Sequence, residues 1–377
     1  MNIAKKLTAL IWLSLLCVSA IANDTPQVVL IGLPANLKAS KLDSSVRDAA
    51  QLAVDDANKT SIRINGKPVL FQLLSVEDKS DANFAVVAAN HFIRMRVVGV
   101  IGHNNTDTSR ATSGLYENAG IPQITPSATG SILTESGYKT IFQLLGGSNQ
   151  TAKYLAEIVA HLLPGKRIAV IDNGTVLGTG LATMFIQRLR EQGIEITARE
   201  SVSPKLTGLD NLVANLKAQS IDVIFFTGFG SQATEFSRSI KQVNSPAQLL
   251  VTGGAINEEF PDAGKYAEGT LILLHGSPTD KLPGYKAFEK RYRERFDTPI
   301  SAYTLFAYDA TSVLIAAIKK ADSLVPSAIG DTLHSIQYKG VSGPISFAAD
   351  GRQNSPPYTL YQVSQGKWRA IKIFDSN

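Results

Sequence analysis

Cysteine is nearly absent from this chain. One occurs in 377 residues, Cys17, and it lies in an N-terminal segment that reads as a removable export signal. Lys5 and Lys6 give a basic start, residues 7–16 an apolar stretch, and Ala20-Ile21-Ala22 a small-residue cleavage site before Asn23. Cleavage after residue 22 leaves no cysteine, which excludes a disulfide, a cysteine nucleophile and a thiolate metal site. A chain of this length can stabilise itself through apolar cores alone. Leu16 before Cys17 argues against a lipoprotein signal, and the apolar stretch is too short to favour a membrane span.

Other absences narrow the function. The net charge is +5, from 37 basic and 32 acidic residues, and losing Lys5 and Lys6 takes it to +3. No basic run of five or more occurs, so nucleic acid is not an expected partner. There is no G-x-S-x-G elbow, H-E-x-x-H, EF-hand loop or P-loop. His91, His103, His161, His275 and His334 show no metal-ligand spacing. The glycine-rich GTVLGTG at 174–180 lacks G-x-G-x-x-G spacing. No enzyme activity, cofactor or metal is expected. Repeats, low-complexity stretches and long linkers are missing too.

What is present is a regular alternation of apolar strand-like runs with amphipathic helix-like runs. Strands are expected at 28–33, 69–76, 97–101 and 122–124, and helices at 44–58, 81–95 and 109–118. The pattern then restarts. Helices at 149–162, 178–192, 209–219 and 231–242 alternate with strands at 167–171, 195–202, 223–226 and 248–251. Two such series predict an α/β fold of two doubly wound, parallel-sheet domains. The tail differs: helices at 284–296, 301–321 and 326–335 precede strands at 345–347, 358–363 and 368–373, with turns at Asp350-Gly351 and Gln365-Gly366.

The most informative block is 101–130, IGHNNTDTSRATSGLYENAGIPQITPSATG. Two loops rich in small hydroxyl residues, 104–109 and 125–129, follow two apolar strands. Loops at the carboxyl ends of strands are where open α/β sheets bind ligands, so the block reads as one wall of a small-molecule cleft. His103, at a strand end, reads as a hydrogen-bonded structural residue, as do Glu77 and Asp78 after the second strand; Asp309 reads as a structural or surface residue.

Together, VVLIGLP, DAAQLAVDDAN, VVGVIGH, SRATSGLYENAGIPQITPSAT, RIAVID, DVIFFTGFG and FAYDATSVLIAAIKKA, in this order and spacing, resemble the type I periplasmic solute-binding proteins of the branched-chain amino acid (Leu/Ile/Val) group. The resemblance implies two lobes joined by three crossings near Gly147, Gly276 and Gly343. Lobe 1 would comprise 23–147 plus 276–343, and lobe 2 148–275 plus 344–377. It also implies a periplasmic monomer that delivers a small carboxylate or amino acid to the membrane permease of an ABC importer. A sensory module signalling to a membrane receptor is the alternative.

In such proteins the first lobe holds the ligand carboxylate, and the matching positions are Thr106, Ser127, Ala128 and Thr129. Hydroxyl and backbone donors can satisfy a buried carboxylate without a second charge to desolvate. The second lobe departs from the pattern. Where an acidic residue and aromatic hydroxyls are usual, this sequence has Gly254, Phe229 and Leu177, and the first-loop tyrosine falls near Leu42. A buried ammonium without a carboxylate is costly. Two ligands remain open: a carboxylate lacking an α-amino group, or an amino acid whose charge partner is Asp107, Asp172, Glu258 or Glu259.

Overall fold

The computed structural model describes residues 25–35, 41–203, 205–228, 230–253, 266–301 and 303–374. The N-terminal segment read as an export signal, Phe229, Gly254, Glu258 and Glu259 lie outside the described residues, as does the side chain of Leu42.

Two sheets organise the chain. The first contains β1 (Gln27–Ala35), β2 (Arg63–Ile64), β3 (Lys67–Glu77), β4 (Val100–Ile101), β5 (Gln123–Thr125) and β6 (Ile141–Gln143). Its order is β2-β3-β1-β4-β5-β6. All neighbours run parallel except β2, which folds back on β3. The last five residues of β1 are buried, as a central parallel strand covered on both faces requires.

The second sheet contains β7 (Ile168–Asp172), β8 (Ala198–Ser201), β9 (Val223–Phe226), β10 (Gln248–Thr252), β11 (Leu271–His275), β14 (Tyr358–Ser364) and β15 (Lys367–Phe374). The order is β15-β14-β11-β10-β9-β7-β8. The two terminal strands add antiparallel to a parallel core. They turn through Gln365 and Gly366, both at positive φ (54° and 69°), the geometry of a two-residue hairpin whose twist matches its strands. β12 (Tyr338–Lys339) and β13 (Pro344–Ile345) form a separate pair.

Helices α1 (Lys41–Asn58), α2 (Ala82–Arg94) and α3 (Thr106–Ala119) connect strands of the first sheet, and α5 (Val176–Glu191), α6 (Leu209–Ala218) and α7 (Gly230–Gln242) those of the second. α4 (Ser148–Leu162) opens the second lobe. Its Leu155, Ile158 and Val159 pack with Val170, Phe185 and Phe225. α8 (Tyr285–Arg295), α9 (Thr304–Ala321) and α10 (Pro326–His334) return to the first lobe. There Val313, Leu314 and Ile318 join Val29, Ile31 and Phe71 in one core, and Phe288 and Tyr292 pack against Val46 and Leu52. A late helical segment thus completes the first lobe.

Asp309, buried on α9, is structural. Its carboxylate accepts from Val341 N (2.9 Å), Ser342 N (2.7 Å) and Ser342 Oγ (2.5 Å). Burial raises its pKa despite these bonds. Ile345 and Phe347 still pack in the first core, and the chain joins the second sheet at Tyr358.

Among the elements that differ from the sequence pattern, three do so for identifiable reasons. β6 is three residues long, too short for a period to register. β11, LILLH, is a continuous apolar run without alternation. α3 begins at Thr106 rather than at Ser109, because Asn105 caps it by accepting from Thr108 N at 2.9 Å.

Candidate functional site

Both sheets reverse their strand order at an interior point, between β1 and β4 in the first and between β7 and β9 in the second. A crevice opens at such points, beyond the carboxyl ends of the strands. The two crevices face each other across a cavity of about 460 Å³. From the first lobe it is lined by Asn104, Thr106 and Asp107 after β4, Ser127, Ala128 and Thr129 after β5, and Asp43 and Ser80. From the second come Thr175, Leu177, Gly178 and Leu181 after β7, Thr227 and Gly228 after β9, and Thr252. Ser148, Thr151, His275 and Tyr303 line the hinge side.

Of the residues singled out from sequence, the cavity brings together Thr106, Asp107, Ser127, Ala128, Thr129 and Leu177. Asp172 is placed elsewhere. Its Oδ1 accepts from Gly174 N, Thr179 Oγ1 and Ser201 Oγ, and its Oδ2 pairs with Arg199 at 2.5 Å. Those partners hold its carboxyl below the usual range despite the opposing effect of burial, and commit it to the second lobe's own structure.

The first-lobe wall is tied together by hydrogen bonds. Ser127 Oγ donates to Asn104 O at 2.7 Å, joining the two hydroxyl-rich loops. Thr125 Oγ1 donates to His103 O at 2.9 Å and accepts from Ala128 N at 2.8 Å. Thr106 Oγ1 accepts from Gly130 N at 3.1 Å, which leaves its own proton for a ligand. A Cβ at Gly130 would lie 2.3 Å from Thr106 Cγ2, so this contact requires glycine.

Behind the wall His103 is buried between Asp78 Oδ2 (2.8 Å from Nδ1) and Tyr116 Oη (3.1 Å from Nε2). Burial lowers its pKa more than Asp78 raises it. The other Asp78 oxygen accepts from Ser80 N at 2.9 Å, so this network anchors both the β3 and β4 loops.

The wall presents both donors and acceptors to the cavity. The first N–H groups of a helix have no intrahelical partner. At α3 the Asn105 cap takes Thr108 N, leaving the Thr106 and Asp107 N–H groups at the positive end of the helix. Asn104 Nδ2 donates to Asp43 Oδ1 at 2.5 Å, which fixes the amide orientation and turns Asn104 Oδ1 away from that carboxylate. Asn104 Oδ1, Asp107 Oδ1 and, on the hinge side, His275 Nδ1 are buried polar atoms without a partner. All three residues line the cavity, which holds two carboxylates and, among the described lining residues, no lysine or arginine.

Sequence reasoning placed the 104–109 loop in the wall without singling out Asn104, and missed Asp43, His275 and Tyr303. His275 carried one usable signal: it directly precedes the glycine expected at the second crossing.

Two doubly wound lobes that face each other across a buried polar cleft, with the chain passing between them three times, define a two-lobed ligand-trapping protein. The chain belongs to the periplasmic binding protein family, matching it over residues 38–367. It is 26% identical over 344 residues to the leucine-, isoleucine-, valine-, threonine- and alanine-binding protein of Pseudomonas aeruginosa, covering 91% of each chain. An ABC transporter substrate-binding protein from Desulfitobacterium hafniense, solved in complex with Leu, superposes with a TM-score of 0.78 at 25% identity, covering 92% of this chain and 100% of that one. A solute-binding protein from Rhodopseudomonas palustris in complex with 3,4-dihydroxybenzoic acid has the same fold (TM-score 0.81, 17% identity, covering 93% and 98%).

Proposed function

We propose that this protein is the extracytoplasmic solute-binding component of an ABC importer, and that its ligand is a zwitterionic amino acid. It would deliver that ligand to a membrane permease after the second lobe closes over the first. The observation that carries the ligand assignment is the unpartnered, buried Oδ1 of Asp107 in a cleft with no basic lining residue among those described. A bare carboxylate would add a third negative group to Asp43 and Asp107 without a cation to offset it, which burial makes costly. An ammonium supplies the missing charge and donors for Asp107 Oδ1 and Asn104 Oδ1. The ligand carboxylate is then accommodated by the N–H groups of Thr106 and Asp107 and the hydroxyls of Thr106 and Thr129.

The names of the Pseudomonas and Desulfitobacterium proteins support an amino acid. The dihydroxybenzoate complex supports only the fold, but it keeps a carboxylate without an amino group as the competing reading. No helix among the described residues is long and apolar enough to cross a membrane. That is compatible with delivery by a mobile protein.

Binding to the folded state raises the melting temperature by mass action, so a thermal-shift screen separates the readings. Free α-amino acids should stabilise the protein, and the matching 2-keto acids and benzoates should not. Stabilisation by the latter alone would overturn the amino-acid assignment.

A further inference from the structure

His275 ends β11 where the three crossings meet. Its Nε2 lies 3.1 Å from Gly146 O on the first crossing. Its ring packs against Tyr358 on the third, with centroids 4.5 Å apart. The adjoining Gly276 accepts from Thr359 Oγ1 at 2.8 Å and donates to Pro357 O at 2.7 Å. A carbonyl only accepts, so the contact with Gly146 requires the proton on Nε2 and leaves Nδ1 an acceptor. Burial keeps the ring neutral, its pKa lowered to about 4. That acceptor is buried and has no partner, while the residue lines the ligand cavity. Gly253, which follows β10, faces it: a Cβ there would sit 3.2 Å from Nδ1, and Gly253 lines a second cavity of about 150 Å³ that shares His275 and Tyr303 with the first.

We infer that His275 is a specificity-determining residue: Nδ1 accepts a hydrogen bond from the side chain of the bound ligand, so the site selects amino acids whose side chains carry an N–H or O–H donor. The inference rests on the amino-acid reading above. The head group is held by the first lobe, and the side chain extends toward the hinge. An acceptor left unpaired by an aliphatic ligand keeps its desolvation cost, and discrimination against the isostere lacking the donor follows from that cost. The bond also ties the ligand to the ring that joins the crossings, so the preferred side chain is read at the axis of closure.

Isosteric pairs test this: threonine against valine, asparagine against leucine, tyrosine against phenylalanine, each titrated calorimetrically into the full mature chain. In the parent protein at least one pair should favour its donor-bearing member by about tenfold or more. In His275→Gln, the amide nitrogen can keep the bond to Gly146 O, while the acceptor moves from the Nδ1 position to the amide oxygen on the same terminal carbon. Its unliganded melting temperature should stay near that of the parent, and the preference should shrink to about threefold or less.

Gly253→Ala offers a second route. The methyl group covers Nδ1 without altering the histidine, and the preference should shrink in the same way. Aliphatic members binding the parent as tightly as their partners in every pair would overturn the His275 assignment and leave the amino-acid reading standing. No binding of any member would overturn both. A donor preference that survives both variants would place the recognising group elsewhere.

Discussion

The two walls of the cleft are built from different chemistry. The first-lobe wall is rigid and polar: Ser127, Thr125 and Thr106 are bonded to neighbouring backbone, and His103, Asp78 and Tyr116 brace them from behind. Of its unpartnered atoms, Asn104 Oδ1 is held in place ahead of any ligand by the bond of its amide to Asp43, and Asp107 Oδ1 is buried beside it. Among the described residues the second-lobe wall offers Leu177, Leu181 and threonine side chains, while Asp172, outside the cavity lining, is bonded to Arg199 and Ser201. On the proposed reading the contrast is a division of labour: the first lobe would recognise the ligand's charged head, and the second would cover its apolar surface as the lobes close by hinge motion.

Removing Asp107 should break this division most severely. Asp107→Ala leaves the ligand ammonium without its charge partner, and truncating one member of a buried charged pair costs about 2–5 kcal/mol, or roughly one and a half to three and a half orders of magnitude in Kd. The same variant should unfold at nearly the parent temperature without ligand, since Asp107 Oδ1 bonds to nothing in the protein. Calorimetric titration that returns an unchanged Kd would mean that the charged head is read by the second lobe instead.

Acid should separate the lobes from the hinge by stability rather than affinity. His103 and His275 both have pKa values lowered by burial, His275 to about 4. The unfolded chain therefore binds protons more readily, so their contribution to stability is complete above about pH 6.5 and declines as the pH falls toward 4. For His275 the full shift is worth at most about 3 kcal/mol. Urea melts at pH 7.5 and 5 should show the loss, and His275→Gln should flatten it. An identical acid sensitivity in that variant would assign the whole effect to His103 and the carboxylates.

Much of this was legible in the sequence, and the exceptions have physical causes. The alternation of strand and helix patterns is a local signal, so both sheets and most helices could be read from it. The hydroxyl loops were visible because TDTS and TPSAT stand out after apolar strands. The start of α3 was not, because Asn105 and Thr106 look like loop residues until the cap is seen. Asp43 and Tyr303 join the cleft from α1 and from just before α9, far apart in the chain, through tertiary packing that no local pattern encodes. Gly343 looks like a break in the pattern, whereas the packing of Phe347 in the first core is tertiary and leaves no local signal.

A subtler break in the first wall comes from Gly130→Ala. The added Cβ would fall 2.3 Å from Thr106 Cγ2 and 2.9 Å from Thr106 Oγ1. Thr106 cannot retreat freely, because its hydroxyl holds Gly130 N and its backbone starts α3. Overpacking of this kind costs about 1–3 kcal/mol, and here it should lower both the melting temperature and the affinity. Loss of stability alone, with Kd preserved, would show that Thr106 is not part of the head-group site.

The mildest change should fall on the second wall. Leu177 is half-buried in the first turn of α5 and faces the cavity. Leu177→Ala removes apolar surface that only the closed state covers fully, worth about 1 kcal/mol or roughly fivefold in Kd. With the head group captured by the first lobe before closure, as proposed, the association rate should hardly change. The loss should appear as faster ligand release, measurable by stopped-flow displacement. A slowed association with unchanged release would reverse the order of the two walls, making the second lobe the first to engage the ligand.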